Sequence, residues 1–357
     1  MPDFYTFDLA YYYAWRTMVF WAMITIGSIS GLVALGSYSY KPRNNTFLLA
    51  LLISLIIIFL YSFWPVNWEY GGDRRGYATG FIQMQEGLDY KEREIGFIYL
   101  SLLLSKIVTP QTYFVILEII YIGGYLYAAN KLTKGNCVWL MAAFIVSFGF
   151  VGYGVNTLRS GLGYAFLAIA LCQYPSRVKM IVWIVIAYLF HKSMILPGLM
   201  MIIATFWNNT RLIYYLWFLA IPISFVAGDL FQTMFADMIQ DSRTSYLTDD
   251  FDKGYDKGFR IDFIIYSLVP VIIGWYYLFR KNVQSKIYRF IYNTYLLANI
   301  FWIMVIRAEY TDRFAYLSWW LIPFILTYPL LTQKMNLKEN KWLGCILLGE
   351  TAFYYIM

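Results

Sequence analysis

The chain has 357 residues, 60% of them hydrophobic and 14% charged, with a formal net charge of +7 and a mean hydropathy of +0.54. A soluble domain carries nearer a quarter charged residues, so repeated apolar runs of about 20 residues define a polytopic, all-α membrane protein. The alternating pattern of a membrane barrel is absent, and the positive excess points to anionic lipid rather than nucleic acid.

The first residues contain Asp3 and Asp8 and no basic start, so no cleavable signal peptide is expected. The apolar runs predict about 12 spans. In chain order they are Arg16–Tyr38, Phe47–Trp64, Gln111–Ala129, Val138–Val155, Leu162–Tyr174, Met180–Phe190, Met194–Trp207, Leu212–Leu230, Ile261–Phe279, Ile287–Ile306, Phe314–Thr332 and Trp342–Met357. Residues 1–357 are read as one integral membrane domain. Met180–Phe190 is short enough to hold His191 inside the bilayer boundary. Ile95–Val108, followed by Thr109-Pro110, reads as an interfacial or re-entrant helix. Cys137, Cys172 and Cys345 lie in or beside apolar runs with no C-x-x-C, which argues against a disulfide framework or a zinc site.

Tight basic loops set the orientation. Lys41/Arg43, Lys131/Lys134, Arg177/Lys179, Arg211, Arg280/Lys281/Lys286 and Lys334/Lys338/Lys341 fall on one side, which the positive-inside rule makes cytoplasmic. Both termini are then outside, with two larger outer loops at residues 65–95 and 231–260 and a short outer turn from Arg307 to Phe314. The two halves share no matching motifs, so an inverted-repeat transporter gains no support. No G-x-S-x-G, Walker loop or dinucleotide fingerprint occurs, and no cofactor is expected.

The candidate chemistry lies on the outer face. Arg159, Arg307 and Arg313 sit at outer ends of spans, and a planar guanidinium grips phosphate oxygens in a two-pronged way. Asp73 lies in G-G-D-R-R-G-Y, where glycines allow close backbone approach to a ligand, and Tyr77 follows four residues on as a saccharide-binding candidate. Glu94, in E-R-E-I-G-F, begins the interfacial helix and reads either as a site carboxylate or as a first-turn acid favoured by the helix dipole. His191, the one histidine in the sequence, precedes Lys192 and can exchange a proton near neutral pH. Asp252 completes a D-x-D with Asp250 in the second loop and is a further saccharide-binding candidate; no metal is assigned.

The order of these motifs resembles the EpsG family of membrane polysaccharide polymerases and, more broadly, Wzy-type O-antigen polymerases. It comprises Asp73 with Tyr77 after a glycine pair, Glu94 with Gly96, Asn156-Thr157-Leu158-Arg159 entering a Gly/Ala-rich span, Phe190-His191-Lys192-Ser193, and Asp312-Arg313-Phe314 before a late span. The family often carries Gln after the arginine, where this chain has Ser160. The resemblance implies a glycosyltransferase C-like enzyme in the bacterial inner membrane. It would join oligosaccharide repeat units carried on undecaprenyl pyrophosphate, by inverting transfer on the periplasmic face. A chain-length regulator protein is an expected partner besides membrane lipid. Carried over by motif, Arg159 and Arg313 bind the pyrophosphate, and His191, Asp73 and Glu94 are the active-site candidates; Arg307 joins the first group by position. The rival readings are a lipid-linked oligosaccharide flippase, which needs an alternating pair of bundles, and a membrane acyltransferase with His191 as its catalytic group.

Overall fold

The computed structural model describes residues 5–6, 8–37, 46–67, 72–88, 94–239, 259–308, 311–335 and 338–356. The described residues are helical apart from turns and one parallel pairing of two residues a side, Tyr5 with Val66 and Thr6 with Asn67. They divide into two compact units, Met1–Ile195 with Leu330–Met357, and Leu196–Pro329.

The first unit opens with α1 (Leu9–Gly36), whose N-terminus is capped by Asp8 accepting from the backbone N–H groups of Ala10 and Tyr11. It continues through α2 (Phe47–Ser62), α3 (Gly72–Gln85), α4 (Ile95–Ser105) and α5 (Pro110–Thr133). Thr109 caps α5 and Pro110 sits in its first turn, where its missing N–H costs nothing. Next come α6 (Cys137–Ile145), α7 (Phe150–Val155), α8 (Leu158–Leu171) and α9 (Arg177–Phe190). The second unit holds α10 (Ile195–Phe206), α11 (Thr210–Ile239), α12 (Ile261–Trp275) with a π turn at Tyr276–Arg280, α13 (Lys286–Met304), α14 (Thr311–Trp319) and most of α15 (Ile322–Thr332). The chain then returns to the first unit with α16 (Glu339–Ile356).

Among the described residues five helical stretches are long and apolar enough to cross a membrane: Leu9–Gly36, Pro110–Thr133, Thr210–Gly228, Ile261–Arg280 and Thr311–Thr332. The sequence pattern predicts more spans because apolar runs and helices do not coincide. Val138–Val155 is broken at Gly149, whose φ of +88° no helix tolerates. α2, α4, α8 and α10 are apolar helices too short to count among the five. The region expected as an outer loop at 65–95 contains α3, and the one expected at 231–260 begins as helix, since α11 runs to Ile239.

Packing inverts the soluble pattern. On α2 the bulky Leu48, Leu52, Leu55, Ile56 and Phe59 face outward while Ala50, Ser54 and Ile57 face inward. Large side chains outside and small or hydroxylic ones inside suit helices whose solvent is hydrocarbon. The same logic joins the two ends of the first unit. A Cβ added at Gly31 would lie 3.2 Å from the Gly344 carbonyl oxygen, and one at Gly344 would lie 2.7 Å from the Gly31 carbonyl oxygen. The spacing Gly27-x-x-x-Gly31 lets the backbones of α1 and α16 come this close. In the second unit Asn299 ties the interior: its Oδ1 accepts from Trp217 Nε1, and its amide N–H groups reach Ser267 and Ser318 Oγ. Such interhelical hydrogen bonds are worth about 0.6–2 kcal/mol each in a bilayer.

Candidate active site

Helix α3 is amphipathic in a way its sequence shows. Arg74, Tyr77, Ala78 and Phe81 recur at helical spacing and are buried, whereas Asp73, Arg75 and Gly76 are exposed. Tyr77, Ala78 and Phe81 join Phe97 of α4, Tyr113 and Phe114 of α5 and Leu158 and Leu162 of α8 in one hydrophobic cluster, against which Phe190 packs from the end of α9. Four of the sequence motifs therefore share one apolar floor.

Above it the polar groups interlock. Arg159, in the first turn of α8, donates from Nη1 to Glu94 Oε2 at 2.8 Å and from Nε to the Tyr77 hydroxyl at 3.2 Å. Its guanidinium carbon lies 5.6 Å from the Tyr77 ring centroid. Glu94 is the N-cap of α4, yet its side chain makes no capping bond; it reaches across to Arg159 instead. The Glu94 side chain is wholly buried while Arg159 keeps 22% exposure, so a ligand would meet the cation. Glu94 thus stands at the start of α4 and is also paired with Arg159.

A second bond runs parallel to the first. The backbone N–H of Asp73 donates to Asn156 Oδ1 at 2.9 Å. G-G-D-R-R-G-Y and N-T-L-R are thereby joined twice, Asp73 to Asn156 and Tyr77 to Arg159, each pair about one helical turn from the other. Gly72 has φ +53°, and a Cβ there would sit 2.4 Å from Asn156 Oδ1. The close approach this glycine permits is thus to Asn156. The Asp73 carboxylate itself is on an exposed residue.

These contacts bring the N-cap residue of α4 and the second turn of α3 to Arg159, in the first turn of α8. The starts of α4 and α8 each carry about half a positive charge. Glu94 offsets part of that field.

His191 follows α9 with extended backbone, and its N–H donates to the Ala187 carbonyl. Its Nδ1 is 2.5 Å from Ser193 Oγ, so the serine of F-H-K-S holds the ring through that nitrogen. α4 and α9 run close: a Cβ at Gly96 would lie 3.0 Å from the Leu189 carbonyl oxygen.

Arg307 and Arg313 belong to the second unit. Arg307 donates to the Phe225 carbonyl at 2.9 Å and lies over that residue's ring, a contact that ties it to α11. Arg313 is exposed on α14. Asp252 lies outside the described residues.

Two charged residues of the first unit carry no role in the sequence reading. Arg74 Nη2 donates to the carbonyls of Tyr61 at 3.0 Å and Ser62 at 2.8 Å, and Nη1 to that of Val155 at 3.4 Å. Its guanidinium carbon is 4.0 Å from the Phe114 ring centroid. Glu118 Oε1, from the middle of α5, lies 4.0 Å from Arg74 Nη1, and both side chains are buried. Burial pulls the Arg74 guanidinium down to about 10, against the upward pull of Glu118, so it stays charged at neutral pH. The available signal was the helical register that puts Arg74 on Tyr77's face, together with an acid inside a span, which is costly enough to require a reason.

Among the described residues, helices with apolar outer faces, five of them long enough to cross a membrane, define a polytopic membrane protein with a charged cluster at helix ends. The chain belongs to the EpsG family, whose model matches residues 48–357. The match takes in every candidate residue named above. A search of curated proteins and a search of solved structures each return no match.

Proposed function

We propose that this protein is a polysaccharide polymerase that transfers a growing glycan from a lipid diphosphate onto a hydroxyl of the next lipid-linked repeat unit. Family membership supports polymerase-type chemistry. The observation that carries the reading within the molecule is Arg159, in the first turn of α8 and paired with the N-cap residue of α4, with its cation accessible. Backbone N–H groups at helix starts and a guanidinium are the groups that bind phosphate without a metal.

In the reaction the acceptor oxygen attacks the anomeric carbon from the face opposite the diphosphate. The new C–O bond forms as the bond to the diphosphate breaks, with inversion, and the diphosphate leaves with the electron pair. Charge growing on the leaving oxygens is met by Arg159 and the helix starts. The acceptor's proton goes to a carboxylate. Asp73 is assigned this step, because Glu94 is engaged in holding Arg159 while the Asp73 residue is exposed. Glu94 orients the guanidinium, and Tyr77 supports it from below. His191, held through Nδ1 by Ser193, is assigned to contact phosphate or sugar. Arg313 carries over from the motif match as a phosphate contact. The donor carrier is undecaprenyl diphosphate, and the reaction takes place on the outer face of the bacterial inner membrane. Shorter helices add to the five long spans to complete the membrane domain, with the segments at 65–95 and 231–260 on the outer side.

The test is single-turnover transfer by the purified full-length chain with synthetic lipid-linked repeat units. Products two or more repeats long, released from one carrier, are expected. An enzyme that binds both lipids and forms no joined product would overturn the reading.

A further inference from the structure

We infer that Arg74 is a positioning residue that sets the height and rotation of α3, and with them the placement of Asp73 and Tyr77. This rests on the polymerase reading for its effect on transfer, but not for its effect on geometry.

The neighbouring residues explain why arginine serves here. Ser62 ends α2, Tyr61 precedes it, and Val155 ends α7. Carbonyls in the last turn of a helix lack an intrahelical partner and carry the negative end of its dipole. Arg74 answers two such ends with one flat group, at 3.0 and 2.8 Å on α2 and 3.4 Å on α7. The Ser62 carbonyl also accepts from Gln111 Nε2 at 2.9 Å, which brings the start of α5 into the same knot. The ring of Phe114 covers one face of the guanidinium. The Glu118 carboxyl lies beside it, with Oε1 4.0 Å from Nη1, and neither of its oxygens has a hydrogen-bond partner among the described residues. Arg74 thus makes its hydrogen bonds to the helix ends, with the Glu118 carboxyl beside it but not hydrogen-bonded to it.

The consequence follows along two short paths. Tyr77 is three residues from Arg74 on the same buried face and carries the hydroxyl that receives Arg159 Nε–H. The residue after Val155 is Asn156, which holds the Asp73 N–H. Arg74 therefore fastens α3 to the segment that leads into Arg159. A lysine retains the charge but presents one compact ammonium, which cannot span carbonyls on two helices with the same geometry.

The experiment reads geometry and transfer separately, in the full chain. Gly76 on α3 and Gly152 on α7 are exposed, with open space around an added Cβ. Spin labels go on Gly76→Cys and Gly152→Cys in a Cys345→Ser background, since Cys137 and Cys172 are buried. Three variants are compared with this parent: Arg74→Lys, Arg74→Gln, and Arg74→Gln with Glu118→Gln, which removes both buried charges together. The parent is expected to give one narrow interlabel distance. The variants are expected to remain folded by gel filtration, to broaden or shift that distance, and to lose transfer by on the order of a hundredfold, the loss that follows about 1 Å of misplacement. An unchanged distance in the folded variants would overturn the inference. So would a shifted distance with parental transfer, because α3 would then not position reacting groups. Loss of fold in all three would make the pair a requirement of folding instead. A parent that makes no joined product sinks the polymerase reading alone, since the distance arm still judges the anchor.

Discussion

Replacing Arg159 tests the site at its centre. Arg159→Met removes a 2.8 Å charge-assisted bond and leaves the fully buried Glu94 carboxylate without its cation. Breaking a fully buried ion pair costs about 3–5 kcal/mol, but Arg159 is partly exposed and water relaxes the loss, so about 2–3 kcal/mol is expected. Glu94→Gln keeps a carbonyl oxygen that still accepts from Nη1 and should cost about 1–2 kcal/mol. With both changes the remaining penalty is smaller than the sum, and a double-mutant cycle should give a coupling of about 1–2 kcal/mol. The assay is reversible denaturant unfolding of the four proteins in mixed micelles. Transfer provides the second axis: Arg159→Lys should lose on the order of 10²–10³ in rate, because one ammonium cannot hold Glu94, Tyr77 and a phosphate together. Additivity within about 0.5 kcal/mol would refute the coupling. Full transfer by the lysine variant would show that generic charge suffices.

Four other outcomes follow from the same geometry. Asp73→Asn should abolish single-turnover transfer while a lipid diphosphate donor still binds in equilibrium filtration; weakened binding with transfer retained would remove Asp73 as the base. Gly72→Ala should destabilise by about 2 kcal/mol, from the positive φ and the Asn156 contact, and a melting temperature unchanged from the parent would contradict this. Ser193→Ala should reproduce part of the loss seen in His191→Gln, and a normal rate in the serine variant would show that the 2.5 Å contact does not orient the ring. Reporter fusions should place residues 88 and 308 on one side of the membrane and Lys131, Arg177 and Lys281 on the other; opposite placement of 88 and 308 would sink the topology.

The sequence shows the solvent before it shows the fold. Long apolar runs announce lipid, since little else makes Leu48 to Phe59 tolerable on an outer face. Helix edges are less legible. Hydropathy is blind to a backbone turn such as Gly149, and equally blind to the fact that α8 begins before its apolar run and so takes Arg159 into its first turn. The site is legible as residues but not as pairs. Glu94 and Arg159 are 65 positions apart, and no local pattern says that one reaches the other. Helical spacing would have put Arg74 with Tyr77 on the buried face. The assumption that this stretch is loop hid that spacing.

The charges of the first unit's site stand where a bilayer protein can keep them. Asp73, Glu94, Arg159 and His191 all lie in the first turn, at the N-cap or at the C-terminal end of a helix. Helix ends are also where unpaired N–H and C=O groups remain, so a site there adds little to a cost the fold already bears. The arrangement suits a reaction in which charge moves. Arg159 alone beside the starts of α4 and α8 would bind a ground-state diphosphate tightly, and such uniform binding does not raise turnover. With Glu94 at 2.8 Å the resting field is partly cancelled. As the leaving diphosphate gains charge, its competition with Glu94 for the guanidinium strengthens, and the gain is concentrated in the transition state. By this argument Glu94→Gln should tighten binding of the diphosphate product while slowing transfer. The opposite pair of changes, weaker product binding with faster transfer, would show that Glu94 does not moderate the site.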